Sequence, residues 1–131
     1  MPIEIRNLSH AYHADTSLAK TAIHDISLHI GDGEMCALIG ETGSGKSTLV
    51  QHLNALLLPS EGELEINGKC IYAHVKNTGL KALRKEVGLV FQFPEYQLFE
   101  ETILKDIAFG PKNFGVEAEE AEAIAREMIQ I

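Results

Sequence analysis

The run Gly40-Glu41-Thr42-Gly43-Ser44-Gly45-Lys46-Ser47 satisfies GxxxxGK[ST] at every fixed position. Glycines at these places let successive backbone N–H groups converge on phosphate oxygens with no Cβ in the way. Lys46 can reach β- and γ-phosphates as a mobile point charge. Ser47 can offer its hydroxyl to the Mg²⁺ that bridges them. The chemistry on offer is therefore the gripping of a nucleotide's polyphosphate tail. Such a cradle does not choose the base. No NKxD segment of the kind guanine recognition uses is supplied by Asn67-Gly68-Lys69 or Lys76-Asn77-Thr78. Arginine is confined to Arg6, Arg84 and Arg126, too few for the multi-arginine clamp that a small phosphoryl-transfer kinase places on two anionic substrates.

Other reactive side chains point to less. The 6 histidines, His10, His13, His24, His29, His52 and His74, lack a cysteine or carboxylate pattern that specifies a metal, and all read as structural or surface residues. Glu100-Glu101 and Glu119-Glu120 lie near expected helix starts, where negative charge is ordinarily stabilising, so they read as solvated faces. Cys36 and Cys70 are far apart in apolar runs and read as reduced, buried thiols.

The loop needs a strand before it and a helix after it. Met35 to Ile39 is a continuous apolar run that suits a strand buried on both faces of a parallel sheet. From Ser47 the spacing of Leu49, Val50, Leu53, Leu56 and Leu57 becomes helical, and Pro59 stops it. The expected helix start adds partial positive charge to the cradle. Upstream, Ile3, Ile5 and Leu8 begin an extended segment running to Tyr12, and His13 to Lys20 reads as a loop. Ile26, Leu28 and Ile30 alternate with polar residues as in a half-buried strand that turns at Gly31-Asp32-Gly33. Leu64 and Ile66 lead through Asn67-Gly68 into Cys70-Ile71-Tyr72, a hairpin and hence an antiparallel flank.

Further on, a short helix is expected around Leu80 to Lys85. A buried run from Val87 to Phe91 then leaves Gln92 at a strand's end. Thr102 can cap a helix carrying Ile103, Ile107 and Ala108, with Gly110-Pro111 as its stop. Ala121, Ile124, Ala125 and Met128 form an apolar stripe on a last helix from Glu117 onward. That stripe carries no glycine cap or proline before Ile131, which reads as an interrupted helix and a fragment.

With 131 residues, 45% hydrophobic and 23% charged, the chain can bury one core of ordinary size. Lys plus Arg minus Asp plus Glu is 11 − 19 = −8, a balance that argues against nucleic acid as a partner. No apolar stretch reaches the roughly 18 residues of a membrane span, and no secretory leader is read, so a cytosolic setting is expected.

Taken in order, the segment ending at Tyr12, the phosphate loop, the Glu63 to Tyr72 hairpin and Leu83-Arg84-Lys85-Glu86-Val87-Gly88-Leu89-Val90-Phe91-Gln92 resemble the ATP-binding cassette ATPases over nearly the whole chain. The stretch Phe91-Gln92-Phe93-Pro94-Glu95-Tyr96-Gln97-Leu98-Phe99-Glu100-Glu101-Thr102 is similar to the matching part of energy-coupling factor transporter ATPases. The resemblance implies an α/β fold: a P-loop NTPase core over 1–93 with an antiparallel β flank, and the start of a helical subdomain over 94–131. It implies ATP and Mg²⁺ as cofactors, with Tyr12 stacking on adenine and Gly40, Glu41, Thr42, Gly43, Ser44, Gly45, Lys46, Ser47 and Thr48 contacting the nucleotide. A ring face suits a base that needs no fixed register. Lys46 and Gln92 take the catalytic roles, while Ser47 and Gln92 approach the metal.

The implied partners are a second ATPase subunit, a transmembrane energy-coupling component and a substrate-binding membrane component. Glu95 to Glu101 would border the groove for the transmembrane partner, and the protein would sit peripherally on the cytoplasmic face of the membrane. The family's Asp-Glu strand end, LSGGQ segment and later histidine are missing, and no Ser-Gly-Gly triplet follows the phosphate loop. The chain is expected to bind ATP without turning it over. A P-loop nucleotide kinase and a non-hydrolysing regulatory module stand as alternatives.

Overall fold

A computed structural model of the chain describes residues 1–13 and 16–131, so part of the expected His13 to Lys20 loop lies outside the described residues. The chain divides into two units, Met1–Leu89 and Val90–Ile131.

In the first unit, β1 (Ile3–Tyr12), β2 (Lys20–Ile30), β3 (Glu61–Ile66) and β4 (Lys69–Tyr72) form one antiparallel sheet in the order β2-β1-β3-β4. Period-two alternation builds it, since Ile5 pairs with Leu28 on one side and Leu64 on the other, and Leu64 pairs with Ile71. Ile5, Leu64, Ile66 and Ile71 are essentially fully buried, and Leu49 of α1 (Lys46–His52) and Leu83 of α2 (Leu80–Glu86) join their core. Asn67 and Gly68 both have positive φ, 49° and 76°, as the tight hairpin between β3 and β4 requires.

Against β3 the register of β1 breaks once, and that break aims the site. Ile3 and Ile5 are buried at odd positions, whereas Leu8 is buried at an even one. Between Arg6↔Glu63 and Ser9↔Glu61 two residues of β1, Asn7 and Leu8, face Gly62 alone, which is a β-bulge. Asn7 takes φ 50° and is held by its N–H donating to Ser27 Oγ at 3.0 Å and its side-chain amide donating to Asp25 at 2.8 Å. The shifted register puts His10 and Tyr12 in phase with Leu8.

Gly62 fits the bulge because it has no side chain. A Cβ there would stand 2.3 Å from the Asn7 carbonyl oxygen and 2.5 Å from that of Arg6, at φ +80°. Gly62→Ala is therefore expected to destabilise the fold by about 3 kcal/mol, from left-handed strain plus backbone overlap. Chemical denaturation checks this, and a midpoint equal to that of the wild type would refute the packing argument.

Several expectations need correction. Met35 to Ile39 is not a strand; Met35 is 100% exposed and Ile39 92%, because no parallel neighbour pairs with the run among the described residues. Val87 is buried but Val90 is 85% exposed, so the second apolar run is not a strand either, and Gln92 does not end one. The helix after the phosphate loop stops at His52, not before Pro59. Ala55 turns left-handed at φ 55°, and Arg84 donates to its carbonyl at 2.6 Å. Both cysteines are free, as expected, yet exposed: Cys36 lies on the unpaired run and Cys70 on the open face of β4.

The second unit holds a 3₁₀ turn at Pro94–Gln97 followed by α3 (Ile103–Asn113) and α4 (Ala118–Met128). Thr102 caps α3 as expected, its hydroxyl accepting from the Lys105 N–H at 3.3 Å. Gly110-Pro111 does not end that helix. The stop is Gly115 at φ 91°, where the N–H groups of Gly115 and Val116 donate to the carbonyls of Lys112 and Pro111 in a Schellman motif. Ala108, Ala121 and Ala125 are fully buried, small enough for the two helices to approach closely.

Candidate functional site

The phosphate loop lies on β2. Gly45 takes φ 93°, and a Cβ on it would stand 2.6 Å from the Ala22 carbonyl oxygen and 2.7 Å from Ile23 Cγ2. Only glycine permits that approach. Gly43 also has positive φ, 83°, and faces open space. Ser44 N–H donates to the Glu41 carbonyl at 3.2 Å, tightening the turn. Lys46 opens α1 and folds back, its Nζ donating to the Gly40 carbonyl at 2.7 Å and the Glu41 carbonyl at 2.6 Å. The ammonium thus stands at the mouth of the loop, held by two acceptors it can exchange for phosphate oxygens.

The loop, α1 and the ends of β1 and β2 enclose an open pocket of about 240 Å³ lined by Tyr12, Lys20, Ala22, Gly43, Gly45, Lys46, Ser47 and Thr48. Tyr12, 38% exposed, is brought to the phosphate loop from far upstream, and its hydroxyl lies 3.2 Å from Thr48 Oγ1. Gly40, Glu41, Thr42 and Ser44 complete the turn beside it. Gln92 belongs to the second unit and is exposed on an irregular segment before the 3₁₀ turn. Among the described residues no group of three or more His, Cys, Asp or Glu side chains could cage a metal. An ion here must rely on the exposed Ser47 hydroxyl and on phosphate oxygens. That suits Mg²⁺, which ordinarily keeps few protein ligands and takes the rest from substrate and water.

Motif reading missed Lys20 and Ala22, which carry no signature, and two histidines behind Tyr12. His52 is fully buried, with Nδ1 2.7 Å from the Thr48 carbonyl, and Nε2 has no partner among the described residues. A carbonyl only accepts, so Nδ1 carries the proton. Burial holds the His52 pKa below its ordinary 6.5, outweighing the opposing pull of the Thr48 and Leu58 backbone, and nearby His10 lowers it further. Between the folded pKa and 6.5 the unfolded chain binds more protons at this residue than the folded one. The His52 contribution to stability is thus present above pH 6.5 and lost as pH falls below it. Denaturant melts from about pH 5 to 8 should show this acid-side slope reduced in His52→Phe, and equal slopes would refute it.

A family model described as ABC transporter matches residues 23–130. The energy-coupling factor transporter ATP-binding proteins EcfA2 of Bacillus licheniformis and Ligilactobacillus salivarius are each 56% identical to all of this chain, which covers 45% of either. That of Streptococcus pyogenes is 53% identical, with 47% covered, so the chain spans about half the length of these curated relatives. Among solved structures, the dimeric post-hydrolysis state of the ATP-binding cassette MJ0796 bound to ADP and Pi aligns over 98% of this chain and 56% of its own, with TM-score 0.81 and 26% identity. The structure of cbiO1 from Clostridium perfringens, part of the ABC transporter complex cbiONQ, covers 92% and 46% at TM-score 0.68 and 30% identity. A phosphate loop on an antiparallel flank, the family match through most of the chain and these likenesses agree: the chain belongs to the ABC transporter family.

Proposed function

We propose that this chain supplies the nucleotide-binding part of an ATP-hydrolysing subunit in an energy-coupling factor transporter, which converts ATP to ADP and phosphate to drive uptake of vitamins or metal ions. The observation that carries this reading is the meeting of Tyr12 with the phosphate loop in one pocket. An aromatic face at one end and converging amides with an ammonium at the other match a purine base and its polyphosphate. The likeness to energy-coupling factor transporter ATP-binding proteins supports the transporter assignment.

In this reading Tyr12 stacks on adenine, and Gly40 through Thr48 wrap the phosphates. Lys46 exchanges the Gly40 and Glu41 carbonyls for the β- and γ-oxygens. Bound Mg²⁺ would supply charge neutralisation, with Ser47 as the side chain of the first unit to hold it. The metal and water roles expected of Gln92 belong to the whole protein, where hydrolysis takes place. Residues 1–93 form the nucleotide core and 94–131 begin the helical subdomain. The partners are a second ATPase subunit, alike or different, and the transmembrane and substrate-binding components that hold it peripherally at the cytoplasmic face. No helix among the described residues is long and apolar enough to cross a membrane. These residues lack the Asp-Glu strand end that would polarise water, so this chain binds ATP without turnover.

Calorimetric titration of the chain with Mg²⁺-ATP tests both parts. Saturable binding with no phosphate release is expected. Absence of binding at about millimolar nucleotide overturns the ATP reading, and phosphate release above buffer overturns the claim of no turnover.

A further inference from the structure

Tyr12 does not stand alone at the pocket. Its ring meets His10 edge-on, centroids 4.8 Å apart and planes at 83°, and His10 meets His52 in the same way at 4.8 Å and 73°. His10 is anchored by Nδ1 donating to the Leu58 carbonyl at 3.0 Å, on the segment that follows α1. His52 is anchored by Nδ1 donating to the Thr48 carbonyl, and Thr48 closes the circuit through its hydroxyl to Tyr12. Four residues from two elements therefore form one closed support, Tyr12 to Thr48 to His52 to His10 and back, with the Thr48 main-chain carbonyl as one of its links. The β-bulge at Asn7 is what brings β1 into phase for it.

We propose that His10 and His52 are positioning residues for base recognition, bracing the Tyr12 ring so that its free face is presented to the adenine end of the pocket. The inference rests on the nucleotide reading above and adds to it. His52 lies wholly inside the protein, where a leucine would pack with no unpartnered nitrogen; the ring it presents to His10 gives the histidine a use. Edge-on aromatic contacts favour one ring orientation over others, and a pre-oriented ring loses less freedom when a base stacks on it. Burial also holds the His52 pKa below its ordinary 6.5, so above that pH it packs as a neutral ring and adds no charge beneath the site.

The experiment compares ATP with inorganic tripolyphosphate, both with Mg²⁺, by calorimetry on the protein expressed from its whole reading frame. Tyr12→Ala should erase the preference for ATP and leave tripolyphosphate binding unchanged. His10→Ala, at a half-buried position, should reduce that preference about threefold to tenfold, again with tripolyphosphate unchanged. Added to Tyr12→Ala, His10→Ala should cost nothing more, because the ring it braces is gone. His52→Phe, which keeps a ring edge, should retain more of the preference than His52→Leu. An unchanged preference in His10→Ala, an equal loss for both ligands, or additive losses in the double variant would overturn the bracing role while leaving Tyr12 in place. No effect of Tyr12→Ala would overturn the base reading and the bracing role together.

Discussion

Lys46→Ala is expected to weaken Mg²⁺-ATP binding by about 30- to 150-fold, the loss of two charge-assisted hydrogen bonds at roughly 2–3 kcal/mol net. The geometry gives the reason. In the loop, Nζ already donates to the Gly40 carbonyl at 2.7 Å, the Glu41 carbonyl at 2.6 Å and Ser44 Oγ at 3.4 Å. The ammonium is therefore delivered to the phosphate site before a nucleotide arrives, and binding trades one set of oxygens for another. These resting partners belong to an exposed turn, so folding stability should change little in the variant. Lys46→Arg should not restore affinity, because a planar fork cannot occupy the place of a compact point charge between two carbonyls. Adenosine, which lacks phosphates, should bind the variant and the wild type alike. Calorimetry on ATP and adenosine separates these outcomes, and an unchanged ATP affinity in Lys46→Ala would refute the assignment of that side chain.

The resting contacts of Lys46 also show which parts of the site are legible in sequence. A motif whose function depends on backbone geometry announces itself through glycine, and the same holds for Asn67-Gly68, where two positive φ values demand residues that tolerate them. Thr102 is legible because an N-cap is a local bargain between a hydroxyl and an amide three residues away. Met35 to Ile39 is not legible in the same way. A buried strand is defined by its neighbours, and apolar character alone leaves the run exposed when no strand pairs with it among the described residues. Pro111 misleads for a related reason: its missing N–H costs one bond inside α3, yet the Schellman motif at Gly115 repays the helix end four residues later. The bulge at Asn7 is hidden because asparagine tolerates left-handed φ without advertising it, and with the bulge went the placement of His10 behind Tyr12.

Gly45→Ala should be the most damaging single methyl in the chain's site. The added Cβ would lie 2.6 Å from the Ala22 carbonyl oxygen and 2.7 Å from Ile23 Cγ2, at φ +93°. Ala22 belongs to β2, whose backbone is tied to β1 along its length, so the carbonyl cannot retreat. The loop has to lift instead, taking the amide of Lys46 with it. Left-handed strain of about 1–2 kcal/mol plus overlap of similar size gives about 3 kcal/mol, or a melting temperature lower by on the order of 10 °C. Nucleotide affinity should fall as well, since the amides that converge on phosphate move by more than a hydrogen bond tolerates. Gly43→Ala supplies the control within the same turn. Its Cβ would meet nothing within 4 Å, so only the strain of φ +83° applies and the melting shift should be less than half as large. Thermal melts of the two variants side by side, with and without Mg²⁺-ATP, read both effects. Equal shifts would mean that the seat of Gly45 on β2 contributes nothing beyond backbone conformation, and the contact that fixes the phosphate loop in place would have to be sought elsewhere.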